Sequence, residues 1–101
     1  AVRDLIRADF VKAFESVDVI ATPTSPTPAF KIGEKLDDPL QMYAEDIFTV
    51  PANMAGTPGI SIPMGFVERE GNRLPVGIQF LAAHGADENL LKFGNKFEKL
   101  V

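Results

Sequence analysis

The residue best placed to do chemistry is Asp46, which follows a helical stretch and precedes a run rich in proline and glycine. Its neighbours Ala44, Ile47 and Phe48 are apolar, and a carboxylate in such company resists burial unless it is paired. There it could hold a substrate ammonium or amide, cap a turn, or meet a lysine. Tyr43, the only tyrosine, lies three positions earlier on the same helical face and is expected as a half-buried ring with a wet hydroxyl. Ser25 and Ser61 lie nearest the Pro/Gly punctuation, yet neither has a histidine or lysine at a spacing that would activate it. His84, the single histidine, precedes Gly85 in a loop and is expected to be solvated or to cap a neighbour. Asp37 and Asp38 could form an acidic pair, but Asp38 is already used as a helix cap, and Glu68 and Glu70 are expected to flank a hairpin turn. Neither a P-loop nor Gly-x-Gly-x-x-Gly occurs, and no complete active site can be assembled from these residues.

These residues need elements to place them. The run from Thr49 to Gly65 carries many prolines and glycines and almost no charge, so it reads as buried, shaped backbone forming one wall of a site. From Val2 to Val17, Ile6, Phe10, Ala13, Phe14 and Val17 recur at helical period. Asp18 to Thr22 is a short β-branched run stopped by Pro23, and Pro23, Pro26 and Pro28 hold Thr22 to Ala29 extended. Asp38-Pro39 with Gln41 starts a helix running towards Phe48. Pro51 interrupts it or opens a second turn, and Gly56 is the natural left-handed end.

Ile60 to Phe66 and Val76 to Phe80 alternate at period two around Glu70-Gly71-Asn72-Arg73 and form an antiparallel pair, bulged or ending at Pro63. Gly85-Ala86-Asp87 launches a last helix, with Asp87 as cap and Leu90, Leu91, Phe93, Gly94, Phe97 and Leu100 on its buried face. The predicted order is α-β-α-β-β-α.

Composition bounds the rest. The 101 residues, 46% hydrophobic and 24% charged, suit one globular domain or a piece of one, and a sheet in so short a chain should leave a face or edge poorly covered. A net charge of −4 and a pI near 4.8 argue against autonomous nucleic-acid binding. No apolar run approaches a membrane span, and the start lacks the order of a signal peptide, so a cytoplasmic place is the default. With no cysteine and one histidine, thiolate and His-pair metal sites are ruled out. The chain starts inside one helical pattern and stops at Val101 inside another, so both ends are expected to be cuts.

Five stretches together resemble the amidase signature family: Asp18-Val-Ile-Ala-Thr-Pro-Thr-Ser-Pro-Thr-Pro-Ala-Phe-Lys-Ile-Gly-Glu34, Asp38-Pro-Leu-Gln-Met-Tyr43, Asp46-Ile-Phe-Thr-Val-Pro-Ala-Asn-Met-Ala-Gly56, Pro58-Gly-Ile-Ser-Ile-Pro63 and Leu74-Pro-Val-Gly-Ile-Gln79. Phe30 to Glu34 and Met42 to Asn53 are similar, more narrowly, to the A-subunit branch of the glutamyl-tRNA(Gln)/aspartyl-tRNA(Asn) amidotransferases. The resemblance covers nearly the whole chain. It implies an α/β fold in which residues 1–101 form the C-terminal part of one amidase domain, a fragment of a mixed β-sheet flanked by helices.

The resemblance also implies chemistry: a serine nucleophile, a bridging serine and a lysine base, expected N-terminal to Ala1, release ammonia from glutamine. The ammonia amidates a misacylated tRNA on a partner subunit. On this reading no catalytic residue lies in the chain. Asp46 would contact the α-amino group of glutamine, with Tyr43, Thr49, Asn53 and Gly56 supporting the pocket wall. No cofactor is expected here; ATP and Mg would act on the partner, among B and C subunits, with tRNA met only through the complex. The location would be cytoplasmic, or an organellar matrix in a eukaryote. The rival expectations are a small-amide amidase of the same family and a non-catalytic α/β binding module.

Overall fold

The computed structural model describes residues 2–33 and 39–101. The expected cap at Asp38, the pair Asp37 and Asp38, and the motif end at Glu34 lie outside the described residues. Helix α1 (Val2–Ala13) follows the helical apolar period, and its last turns loosen: Val17 N–H still reaches the Ala13 carbonyl at 3.3 Å. It packs against α3 (Val50–Ala55), and the Arg3 Nε donates to the Met54 carbonyl at 3.1 Å. Ile6, Phe10 and Phe14 are half-buried, whereas Val2, Leu5 and Val11 stay exposed.

Three strands, β1 (Ile20–Pro23), β2 (Gly59–Arg69) and β3 (Asn72–Leu81), form an antiparallel sheet in the order β1-β3-β2. The predicted pair is present but longer than its alternation suggested. Asn72 and Arg73 belong to β3, and Glu68 pairs with Arg73 inside the ladder. Only Glu70 (φ 52) and Gly71 (φ 80) make the turn, both left-handed, which matches the twist of the flanking strands. At the expected proline the register shifts: Pro63 faces Gly77 while Gly65 faces Val76, so Met64 is the extra residue of a bulge.

Pairing sorts side chains by face. Ile60 opposite Phe80 and Ile62 opposite Ile78 form the apolar face, covered by α4 (Asp87–Glu98). Ile62, Phe80, Ala82 and Leu90 form the core there, with Phe93 and Phe97 edge-on to the Phe80 ring at 4.8 Å each. Gly94 admits the closest approach: a Cβ on it would lie 3.0 Å from the terminal methyls of Ile60 and Ile62.

Two expectations for α4 are corrected. Leu91 is 61% exposed because the sheet does not cover that side of the helix, and Leu100, 82% exposed, lies past the end of α4 at Glu98. Asp87 is the first helical residue rather than the cap; Ala86 precedes it without a side-chain bond, and the Asp87 carboxylate acts on the helix dipole instead.

Between β1 and β2 the predicted helical stretch divides into α2 (Pro39–Ala44) and α3, with Pro51 in the first turn of α3. Gly56 (φ 72) ends α3: its N–H reaches the Asn53 carbonyl at 3.3 Å, and the Thr57 N–H reaches Ala52 at 3.1 Å. This is the paired bonding of a Schellman end. The Pro/Gly run is nevertheless not buried throughout, as had been expected. Ala52, Ala55 and Ile62 are buried, while Asn53, Gly56, Ser61, Pro63 and Met64 are exposed, because β2 is an outer strand and its other face borders open space. No helix among the described residues is long and apolar enough to cross a membrane.

Candidate functional site

The sheet face away from α4 is polar. Thr22 and Ser61 flank Gln79, and Thr24 continues β1 beside Gly77, its N–H bonded to the Gly77 carbonyl at 3.3 Å. Over this face opens a cleft of about 760 Å³. One wall is the proline-stiffened loop from Thr24 to Phe30, a second is the turn at Glu45 and Asp46, and the bulge at Met64 with Val67 closes the far side.

The Asp46 turn is held at several points. Its N–H bonds the Tyr43 carbonyl at 3.1 Å, and its own carbonyl accepts from the N–H of Thr49 (3.0 Å), the N–H of Val50 (3.1 Å) and Thr49 Oγ1 (3.2 Å). Next to it, Thr27 Oγ1 lies 2.8 and 3.1 Å from the two Glu45 carboxylate oxygens, tying the turn to the proline loop. The Asp46 side chain is exposed at the cleft, and no hydrogen bond among the described residues engages its carboxylate.

Among the described residues, Glu45 and Asp46 are the charged members of the cleft lining, and no described lysine, arginine or histidine lines it. Such a wall suits an ammonium or an amide N–H rather than an anion. The lining hydroxyls are Thr22, Thr24, Ser25, Thr27 and Ser61, and among the described residues of the lining no imidazole or amine stands beside them. Thr24 Oγ1 and Ser61 Oγ are bonded to each other at 2.7 Å. Among the described residues no group of His, Asp and Glu could hold a metal ion.

Of the residues singled out from sequence, Ser25, Asp46 and Ser61 line the cleft. Tyr43, Thr49, Asn53 and Gly56 do not line it. Tyr43 is 73% exposed rather than half-buried, because it lies on the outer side of α2. Thr49 braces the Asp46 turn through its hydroxyl, Asn53 faces outwards from α3, and Gly56 ends that helix. His84 caps: its Nδ1 lies 3.0 Å from the Gly56 carbonyl, which can only accept, so Nδ1 carries the proton.

Sequence reasoning missed Gln79. It is buried, and its Nε2 donates to Thr22 Oγ1 at 3.0 Å and to the Phe48 carbonyl at 2.8 Å. The available signal was a polar residue in an otherwise apolar stretch of β3.

The family model described as Amidase matches residues 1–91. The chain is 57% identical over 99 residues to the A subunit of glutamyl-tRNA(Gln) amidotransferase from Persephonella marina, covering 98% of the chain and 20% of that protein. It is 56% and 55% identical over 98 residues to the proteins of the same name from Geotalea daltonii and Syntrophus aciditrophicus, covering 97% of the chain and 20% of each relative. The chain thus spans about a fifth of the length of these relatives. A solved structure reported as "An unexpected vestigial protein complex reveals the evolutionary origins of an s-triazine catabolic enzyme" superposes with a TM-score of 0.80. The match covers 98% of this chain and 22% of that one at 24% identity, a likeness of fold.

Proposed function

Because the chain belongs to the amidase family, we propose that it is the C-terminal portion of the A subunit of a glutamine-dependent tRNA amidotransferase, and that Asp46 receives the α-ammonium of glutamine. The observation that carries this reading is the Asp46 carboxylate, exposed on a cleft whose described charged lining residues, Glu45 and Asp46, are acidic. Identity above one half to several A subunits along almost the whole chain supports the tRNA-dependent branch over a small-amide amidase.

In this role the segment binds and orients. Asp46 fixes the amino-acid end of glutamine, and the lining hydroxyls offer donors and acceptors along its length. The serine nucleophile, bridging serine and lysine base come from the rest of the amidase domain. Ammonia passes to a partner subunit, where ATP and Mg2+ activate the acyl group of a misacylated Glu-tRNA(Gln) or Asp-tRNA(Asn). B and C subunits complete the assembly, tRNA is met through it, and the setting is cytoplasmic or an organellar matrix.

The test is Asp46→Ala in the complete subunit within its complex, assayed with glutamine and with ammonium as nitrogen donors. Glutamine-supported amidation should fall at least about tenfold through KM, as expected when a charged contact is lost, while ammonium-supported amidation is retained. Equal loss with both donors would make Asp46 structural. Turnover of small amides without any tRNA amidation would move the protein to the other branch of the family.

A further inference from the structure

Gln79 is the one buried polar side chain among the described residues, 7% exposed, in a strand whose neighbours Phe80 and Leu81 belong to the apolar interior. Its carboxamide offers two N–H donors, and both are used. One goes to Thr22 Oγ1 in β1, at 3.0 Å and a sequence separation of 57; the other goes to the Phe48 carbonyl, at 2.8 Å and a separation of 31. The Phe48 carbonyl can only accept, so the nitrogen must face it and the amide has one possible orientation. Thr22 in turn donates to the Pro23 carbonyl at 2.9 Å, so a continuous chain of bonds runs from the Asp46 turn through Gln79 to the start of the proline loop.

The turn closes on itself through the Asp46 carbonyl, which accepts from Thr49 and Val50, and these bonds alone do not set its distance from the sheet. Among the described residues, side-chain links that do are Thr27 to Glu45 on the loop side, which is exposed, and Gln79 to Phe48 on the sheet side, which is part-buried and more shielded. A shielded bond lacks water as a competing partner and so holds its geometry more firmly.

We infer that Gln79 is a positioning residue for substrate binding, clamping the turn at Phe48 to β1 and β3 and thereby fixing the height of the Asp46 carboxylate over the cleft. The inference rests on the proposed role of Asp46. Gln79 itself does not line the cleft and acts through the turn.

The test uses the complete subunit in its complex and the variants Gln79→Met, which keeps length and apolar bulk but removes both donors, Asp46→Ala, and the two combined. Gln79→Met should raise the KM for glutamine about tenfold with kcat changed by less than about twofold, the signature of a displaced ground-state contact. Because Gln79 acts through Asp46, adding Gln79→Met to Asp46→Ala should raise KM by less than about a further twofold. Multiplicative effects in the double variant, or a fall in kcat with KM unchanged, would overturn the clamp. If Gln79→Met does not fold, Gln79→Asn keeps the amide but shortens its reach to both partners, and must give a rise in KM that is absent in the Asp46→Ala background. A glutamine KM unaffected by Asp46→Ala but raised by Gln79→Met would defeat the role proposed for Asp46; the reverse pattern would defeat only the clamp.

Discussion

Thr24 and Ser61 meet hydroxyl to hydroxyl at 2.7 Å beside Gly77, joining the two outer strands of the sheet over its central one. A Cβ on Gly77 would lie 2.8 Å from Ser61 Oγ and 3.0 Å from Thr24 Oγ1, so this contact exists because residue 77 has no side chain. Gly77→Ala should cost about 1–3 kcal/mol through the forced separation, read from urea unfolding of the complete subunit. Adding Ser61→Ala removes the closer atom and should restore part of that loss. Absence of any recovery would show that the two positions do not compete for space.

The end of α3 makes a second prediction. Nothing lies within 4 Å of a Cβ built on Gly56, so Gly56→Ala meets no neighbour and pays only for its left-handed backbone, about 1–2 kcal/mol. Gly56→Asn should cost less, because asparagine tolerates that conformation better. The Gly56 carbonyl also fixes His84, so the neutral imidazole should carry its proton on Nδ1. Nitrogen-15 chemical shifts of His84 at alkaline pH would check this, and an Nε2–H form would contradict it.

On the opposite face, Gly94 separates two substitutions by size. The Cβ of Gly94→Ala would meet terminal methyls of Ile60 and Ile62 at 3.0 Å, and these can give way. The gain of about 1 kcal/mol in helix propensity should offset that crowding and leave stability nearly unchanged. Gly94→Val adds branches that cannot be accommodated and should lose about 1–3 kcal/mol. Thermal unfolding of the complete subunit with each variant gives the comparison, and equal effects would mean that α4 does not bear on the Ile60–Ile62 ridge.

The local features of this fold were open to reading because single residues enforce them. Gly56 had to end a helix, Pro63 could not stay in a regular ladder, and the alternation from Ile60 announced a strand. Asp46 stood out as a carboxylate among apolar neighbours, and it lines the cleft; its proposed role toward glutamine came from the family resemblance, not from its spacing. What escaped were relations between distant positions. A glutamine in a strand does not say that its partners lie 57 and 31 residues away, and Thr24 and Ser61 carry no mark of meeting beside a glycine. The outward turn of Leu91 was hidden as well, since helical period gives a stripe but not the width of the sheet that must cover it, and nothing local told that the helix stops before Leu100.

The strand order β1-β3-β2 sets a local pairing beside a distant one. Glu70 and Gly71 bring β2 and β3 together over the shortest possible loop, so that hairpin forms at little entropic cost. Among the described residues β1 pairs with β3 alone, and Ile20 must find Leu81 from the far side of the intervening chain. Within this sheet the proline wall thus hangs on the pairing that carries the larger loop-closure cost.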